Sequence, residues 1–144
     1  MVENKRSSLV KPSLETLFHI DFEWWKDHDA NWRIFLYDYL CPEHQQVFKD
    51  QDKDIIIDYI DPLTAEVGKV DGLLHTLMHH CAQQEGFIHK NLSIVEIVFR
   101  IFLANGNEPL SPQALSALSG KSPTVILRTF SSSNVFKGIR PIIK

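Results

Sequence analysis

The apolar positions of this chain recur mostly at three- and four-residue intervals, which predicts helices. The sharpest segment opens at Ser93-Ile94-Val95-Glu96, the pattern of a capping box. There a cap hydroxyl and a glutamate three residues on each take up a free backbone donor. Ile94, Val95, Ile97, Val98, Phe99, Ile101, Phe102 and Leu103 then make the segment apolar nearly all round. A helix of that kind is buried on most sides, and it is too short, with Arg100 too central, for a membrane span. Asn105-Gly106 ends it, because both residues tolerate the left-handed geometry of a helix stop. Ser111-Pro112 and Ser122-Pro123 each place a capping hydroxyl before a proline that fits the first helical position. They predict a second helix over 112–118 and a third over 123–130, with Gly120 turning between them. On the third, Pro123, Ile126, Leu127 and Phe130 share one face, while Thr124 and Arg128 fall opposite with Val125 beside them. Beyond Ser131-Ser132-Ser133-Asn134, residues 135–143 read as a strand, a Lys137-Gly138 corner and a second extended piece, with Pro141 suited to an edge strand.

The first two thirds are patterned less sharply. Residues 1–12 read as a flexible tail, and Ser13 is placed to cap a short helix through Leu14, Leu17 and Phe18. Trp32, Phe35, Leu36, Tyr39 and Leu40 form a helical stripe with Asp29 as its cap. With Phe22, Trp24 and Trp25 just ahead, this is an aromatic surface for a ligand or, more simply, core packing. Cys41-Pro42 breaks the helix, residues 43–49 restart it, and the acidic run 50–54 is a solvated connection. Counted from Asp50, an EF-hand loop needs glycine where Ile55 stands and glutamate where Asp61 stands, which excludes that calcium site. Residues 55–60 are ambiguous: branched side chains favour a strand, but the spacing of Ile56, Tyr59 and Ile60 favours the helix expected here. Asp61-Pro62 then starts a long helix over 62–84, with Val67, Val70, Leu74, Leu77 and Cys81 on one face. Its Gly68 and Gly72 allow close packing and make it the candidate dimer element, and Gly86 stops it.

Charge divides the chain. From Pro109 onward there is no Asp or Glu, and Lys121, Arg128, Lys137, Arg140 and Lys144 give a net charge of +5. The whole chain carries −3, so residues 1–108 carry −8. A basic end on an acidic protein is the electrostatic footprint of a nucleic-acid binder joined to an acidic partner region. Residues 93–144 resemble the winged helix-turn-helix domains of prokaryotic transcriptional regulators. The resemblance rests on Ser93-Ile94-Val95-Glu96, Asn105-Gly106-Asn107-Glu108-Pro109-Leu110-Ser111, Gly120-Lys121-Ser122 and Val135-Phe136-Lys137-Gly138-Ile139-Arg140-Pro141. Together with the helical spacing upstream, it predicts a mainly α protein: a helical, acidic, aromatic-rich region over 13–90 packed on a winged helix over 91–144 with a small β-hairpin wing. The resemblance also implies a homodimeric regulator bound to double-stranded DNA, with Thr124 and Arg128 in the major groove and Lys121, Lys137 and Arg140 on phosphates. A third helix with one basic residue leaves a second reading open: a protein-interaction module that binds partners through its acidic N-terminal half.

The chain's 44% hydrophobic residues suffice for a core without staples. Two cysteines far apart, behind a charged rather than signal-like N-terminus, indicate a reducing cytoplasm. The one constellation with metal-ligand chemistry is Cys41-Pro42-Glu43-His44 together with His75, His79, His80 and Cys81. On one continuous helix His75 and His79 project away from Cys81, so they cannot share an ion with it. A zinc site of Cys41, His44, His80 and Cys81 requires the Cys41 corner to pack beside the far end of the long helix. That possibility carries a third reading, a metal or redox sensor using Cys41 and Cys81; no other cofactor is expected. Neither a glycine-rich phosphate loop nor a nucleophile elbow is present, and no enzyme activity is expected.

Overall fold

The computed structural model describes residues 11–49, 56–60 and 67–142. These are mainly helical, with two small antiparallel sheets. Strand β1 (Phe18–Ile20) leads into helices α1 (Phe22–His28), α2 (Trp32–Tyr37) and α3 (Pro42–Phe48). Strands β2 (Ile56–Ile60) and β3 (Val67–Asp71) pair with each other, Asp58 opposite Lys69. Helix α4 (Gly72–His79) follows at once and ends in a single 3₁₀ turn, Cys81–Gln83. Helices α5 (Ile94–Ala104), α6 (Pro112–Ser119) and α7 (Pro123–Phe130) come next, then strand β4 (Ile139–Pro141).

Helix α5 is the centre of the packing. Ile97, Val98, Phe99, Ile101, Phe102 and Leu103 are all buried, as a helix apolar on nearly every side requires. It packs against α4, α6, β1 and the 3₁₀ turn. The core it organises draws Trp25, Leu36 and Leu40 from one end of the chain and Leu115, Ile126, Phe130 and Ile139 from the other. Ser93 caps α5 through a 3.3 Å bond from the Glu96 backbone N–H. Glu96 does not complete the reciprocal half of the box. Its carboxylate accepts instead from the Tyr39 hydroxyl at 2.7 Å and lies 3.8 Å from the Lys137 amino group and 3.7 Å from Arg100. Burial, with the Glu96 carboxylate adding to it, pushes the Tyr39 phenol well above its ordinary range.

The N-terminal strand ties the two ends of the chain together. β1 pairs antiparallel with β4, Phe18 opposite Pro141 and Ile20 opposite Ile139. Its other edge bonds to Leu110, with Phe18 and Leu110 exchanging both backbone bonds at 2.8 and 3.0 Å. The corner before β4 is a two-residue turn at Lys137 (φ 53°) and Gly138 (φ 76°), closed by the Ile139 N–H donating to the Phe136 carbonyl at 3.0 Å. Consecutive positive φ values are what a tight hairpin turn needs. Gly138 is also crowded: a Cβ there would lie 3.0 Å from the Trp25 Cβ and 3.2 Å from the Asp21 carbonyl oxygen. Gly106 has a similar φ of 74° but open space around it. Gly138→Ala is therefore expected to cost about 2–3 kcal/mol, and Gly106→Ala about 1 kcal/mol, the left-handed strain alone. Urea unfolding of the two variants checks this, and equal losses would refute the crowding.

Several expectations are corrected. The segment Ile56–Ile60 is a strand, not a helix, because its branched residues find a partner in Val67–Asp71. That partner comes from the stretch expected to be a long helix over 62–84. Over the described part of that stretch the long helix does not form: Val67–Asp71 is extended, and the Asp71 carboxylate then caps α4 by accepting from the Leu74 N–H at 2.9 Å. The described part of the proposed dimer element is therefore a strand, a short helix and a 3₁₀ turn. Ser13 starts a turn rather than a helix, and Phe18 belongs to β1 because Phe18 and Ile20 alternate inward against β4. Asn31, not Asp29, stands at the start of α2, and the Asp29 carboxylate accepts from the Asn31 N–H at 2.9 Å. The returning arm of the expected wing pairs with β1, and its own first arm contributes only the Phe136–Ile139 bridge. The tail up to residue 10, the connection at 50–54 and the Asp61-Pro62 start lie outside the described residues. Among the described residues no helix is long and apolar enough to cross a membrane.

Candidate functional site

Among the described residues, two groups offer chemistry beyond packing: a Cys/His cluster and the outward face of α7.

The cluster is assembled from two corners. At the first, Cys41 is the residue before α3, Pro42 holds the first helical position, and His44 follows one turn on. The Cys41 Sγ and His44 Nδ1 are 3.2 Å apart. At the second, α4 stops at His79 and His80 leaves helical geometry, with φ −126° and ψ −64°, before the 3₁₀ turn at Cys81. This break separates His80 and Cys81 from the helical register of His75 and His79. The rings of His75 and His79 stack on each other at 4.2 Å instead. The two corners then meet: the Cys81 Sγ lies 3.3 Å from the Cys41 Sγ and 3.6 Å from the His44 Nδ1. The His44 and His80 rings are 4.3 Å apart, edge to face. One donor atom each from Cys41, His44 and His80 fall within 4.8 Å of one another. The thiols are buried and the imidazoles form the rim, His44 half-buried and His80 exposed. Both cysteines are free, and burial pushes the Cys81 thiol up to about 11. An open cleft of about 320 Å³ borders the two thiols, with Gln84, Glu85 and Arg100 on its walls. Gln84 also reaches His80, its side-chain amide lying 3.3 Å from the ring Nε2.

The face of α7 divides as its spacing predicts. Ile126 and Phe130 are buried, whereas Thr124, Val125 and Arg128 are exposed. Ser122 caps the helix by accepting from the Val125 N–H, and Gly120, at φ 77°, makes the turn from α6. The Arg128 guanidinium makes no ion pair among the described residues. It lines an open groove of about 490 Å³ with Lys11, Pro12, Thr124 and Leu127. Lys121 is half-buried at the start of the helix, and its amino group donates to the Lys90 carbonyl at 3.2 Å.

The other two expected phosphate contacts are engaged elsewhere. Lys137 lies beside Glu96 with its amino group over the Phe35, Tyr39 and Phe99 rings. Arg140 bonds the Asp21 carboxylate at 3.0 Å and covers the Trp24 ring. The structure thus keeps Thr124 and Arg128 together on one groove, sets Lys121 beside Lys90, and ties Lys137 to Glu96 of α5 and Arg140 to Asp21. Two further cations, Lys11 in the Arg128 groove and Lys90 beside Lys121, stand in segments whose sequence marks them only as tail and linker. No protein-family model, no curated protein and no solved structure matches the chain.

Proposed function

We propose that the chain is a DNA-binding regulator whose C-terminal winged helix places α7 in the major groove. The observation that carries this reading is the outward face of α7: Thr124, Val125 and Arg128 exposed, with a guanidinium that makes no ion pair among the described residues. An arginine so placed suits the paired acceptors of a guanine edge, and threonine suits a thymine methyl or a phosphate. The phosphate contacts fall to Lys11, Lys90 and Lys121, which lie at the groove and at the turn before α7. Lys137 and Arg140 serve the fold.

Binding of the full chain to mixed-sequence duplex DNA, followed by fluorescence anisotropy over a salt series, tests the proposal. Three neutralised phosphates give a slope of log affinity against log salt of about −3. Arg128→Ala is expected to weaken binding about tenfold. Lys137→Ala should leave affinity within about twofold. Absence of binding at low salt sinks the proposal. A second reading, a protein-interaction module, is favoured by Ile34 and Phe35, 53% and 41% exposed on α2 in the acidic half. It takes over if duplex DNA is ignored and Arg128→Ala changes nothing.

A further inference from the structure

We infer that Cys41, His44, His80 and Cys81 together hold one tetrahedral divalent cation of the zinc class. The donor set is the first argument. Two thiols and two imidazoles, with no carboxylate among them, suit zinc and do not suit the hard, oxygen-seeking calcium or magnesium. Distance is the second. Tetrahedral bonds of about 2.3 Å to sulfur and about 2.0 Å to nitrogen put ligand sulfurs about 3.8 Å apart and a sulfur and a nitrogen about 3.6 Å apart. The observed separations are 3.3 Å for Cys41 to Cys81, 3.2 Å for Cys41 to His44 and 3.6 Å for Cys81 to His44. The donors of Cys41, His44 and His80 lie within 4.8 Å of one another, and Cys81 joins this group through Cys41 and His44, so side-chain rotation has to close the remaining distances around one ion.

The third argument is symmetry of supply. Each corner offers one thiol inside and one imidazole at the rim, and each is a helix boundary: the start of α3 and the end of α4. Forty positions separate Cys41 from Cys81, and the β2–β3 pair lies between them. A cation held there closes that segment at its base, as a metal clip does for a long loop. Four protein donors leave no open position for a water or substrate, so the site is structural rather than catalytic. A cation would also hold both buried thiols as thiolates, reversing the effect of burial on Cys81. The site does not depend on α7 reaching DNA.

The full chain, purified without chelator, is tested by elemental analysis and then, after metal removal, by titration with Co²⁺. One zinc per chain is expected. Bound Co²⁺ should give the intense visible bands of tetrahedral geometry and a near-ultraviolet thiolate-to-cobalt band, both saturating at one equivalent. Replacing both Cys41→Ser and Cys81→Ser should remove the thiolate band and lower metal content at least tenfold, while His79→Ala should leave both intact. Should the double variant fail to fold, the wild-type chain still decides: chelator should raise the reactivity of its two thiols toward a disulfide reagent. Metal well below one equivalent with thiols indifferent to chelator overturns the inference. So does a weak, octahedral cobalt spectrum without a thiolate band.

Discussion

Replacing Phe99 by alanine is expected to cost about 3–5 kcal/mol, the range for truncating a fully buried aromatic ring. Phe99 sits midway along α5 with no exposed surface. Its ring meets Trp25 edge-on at 5.7 Å and Tyr39 at 5.0 Å, and the Lys137 amino group lies 5.8 Å from its centre. Alanine would leave a void that α1, the chain beyond α2 and the Lys137 corner each border from a separate direction. None can close it without giving up other contacts, which argues for the upper half of the range. Small domains are stable by about 5–15 kcal/mol in total, so the variant should be marginal. Phe99→Leu keeps much of the volume and should lose well under half as much. Urea unfolding followed by tryptophan fluorescence measures both, since Trp25 lies against the ring. A loss below about 1 kcal/mol for the alanine variant would mean that α5 is not the packed centre.

What could be read from the sequence is what short-range chemistry decides. Ser111-Pro112, Ser122-Pro123 and Asn105-Gly106 mark the bounds of α5, α6 and α7 because capping and left-handed stops involve neighbours within one turn. The Lys137-Gly138 corner was legible for the same reason. The strands were not. Ile56–Ile60 and Val67–Asp71 make sense only as a pair, and each taken alone matches a helical spacing well enough to mislead. Phe18–Ile20 finds its partner at the opposite end of the chain, where no local pattern points.

The candidate sites divide in the same way. Cys41 and His44 are one helical turn apart, so their proximity follows from spacing. Their meeting with His80 and Cys81 depends on α4 ending at His79, and nothing in the apolar stripe of Leu74, Leu77 and Cys81 announces that break. The exposed face of α7 is a matter of periodicity and was legible. The engagement of Arg140 by Asp21 spans 119 positions and was not. A count of cations therefore overstated the basic surface: two of the five expected DNA contacts, Lys137 and Arg140, are held by acids from the N-terminal side and from α5.

Asn107→Ala is expected to cost about 3–5 kcal/mol, through a residue whose role no local pattern indicates. The register of β1 explains why. Leu17 and Ile142 are joined by a 2.8 Å backbone bond, and bonded pairs alternate along an antiparallel ladder. Phe18 and Ile20 therefore turn their backbone groups away from β4. Phe18 meets Leu110 there; Ile20 meets only the side chain of Asn107. The Asn107 Oδ1 accepts from the Ile20 N–H at 2.8 Å and its Nδ2 donates to the Ile20 carbonyl at 2.9 Å, so one amide side chain stands in for a third strand. Alanine would orphan two backbone groups of a residue only 1% exposed, at about 1–3 kcal/mol each. It would also lose the tolerance of asparagine for the left-handed φ of 61° found here. Asn107→Gly relieves the backbone but loses the amide, and Asn107→Asp keeps the acceptor while setting oxygen against the Ile20 carbonyl. The hydrogen-bonding account requires all three variants to be destabilised, alanine more than glycine. Hydrogen exchange should locate the damage at Ile20, whose amide is expected to lose protection while the Phe18 amide, bonded to Leu110, keeps most of its own. Should the glycine variant prove as stable as the wild type, strain at residue 107 and not the borrowed strand would be what Asn107 relieves.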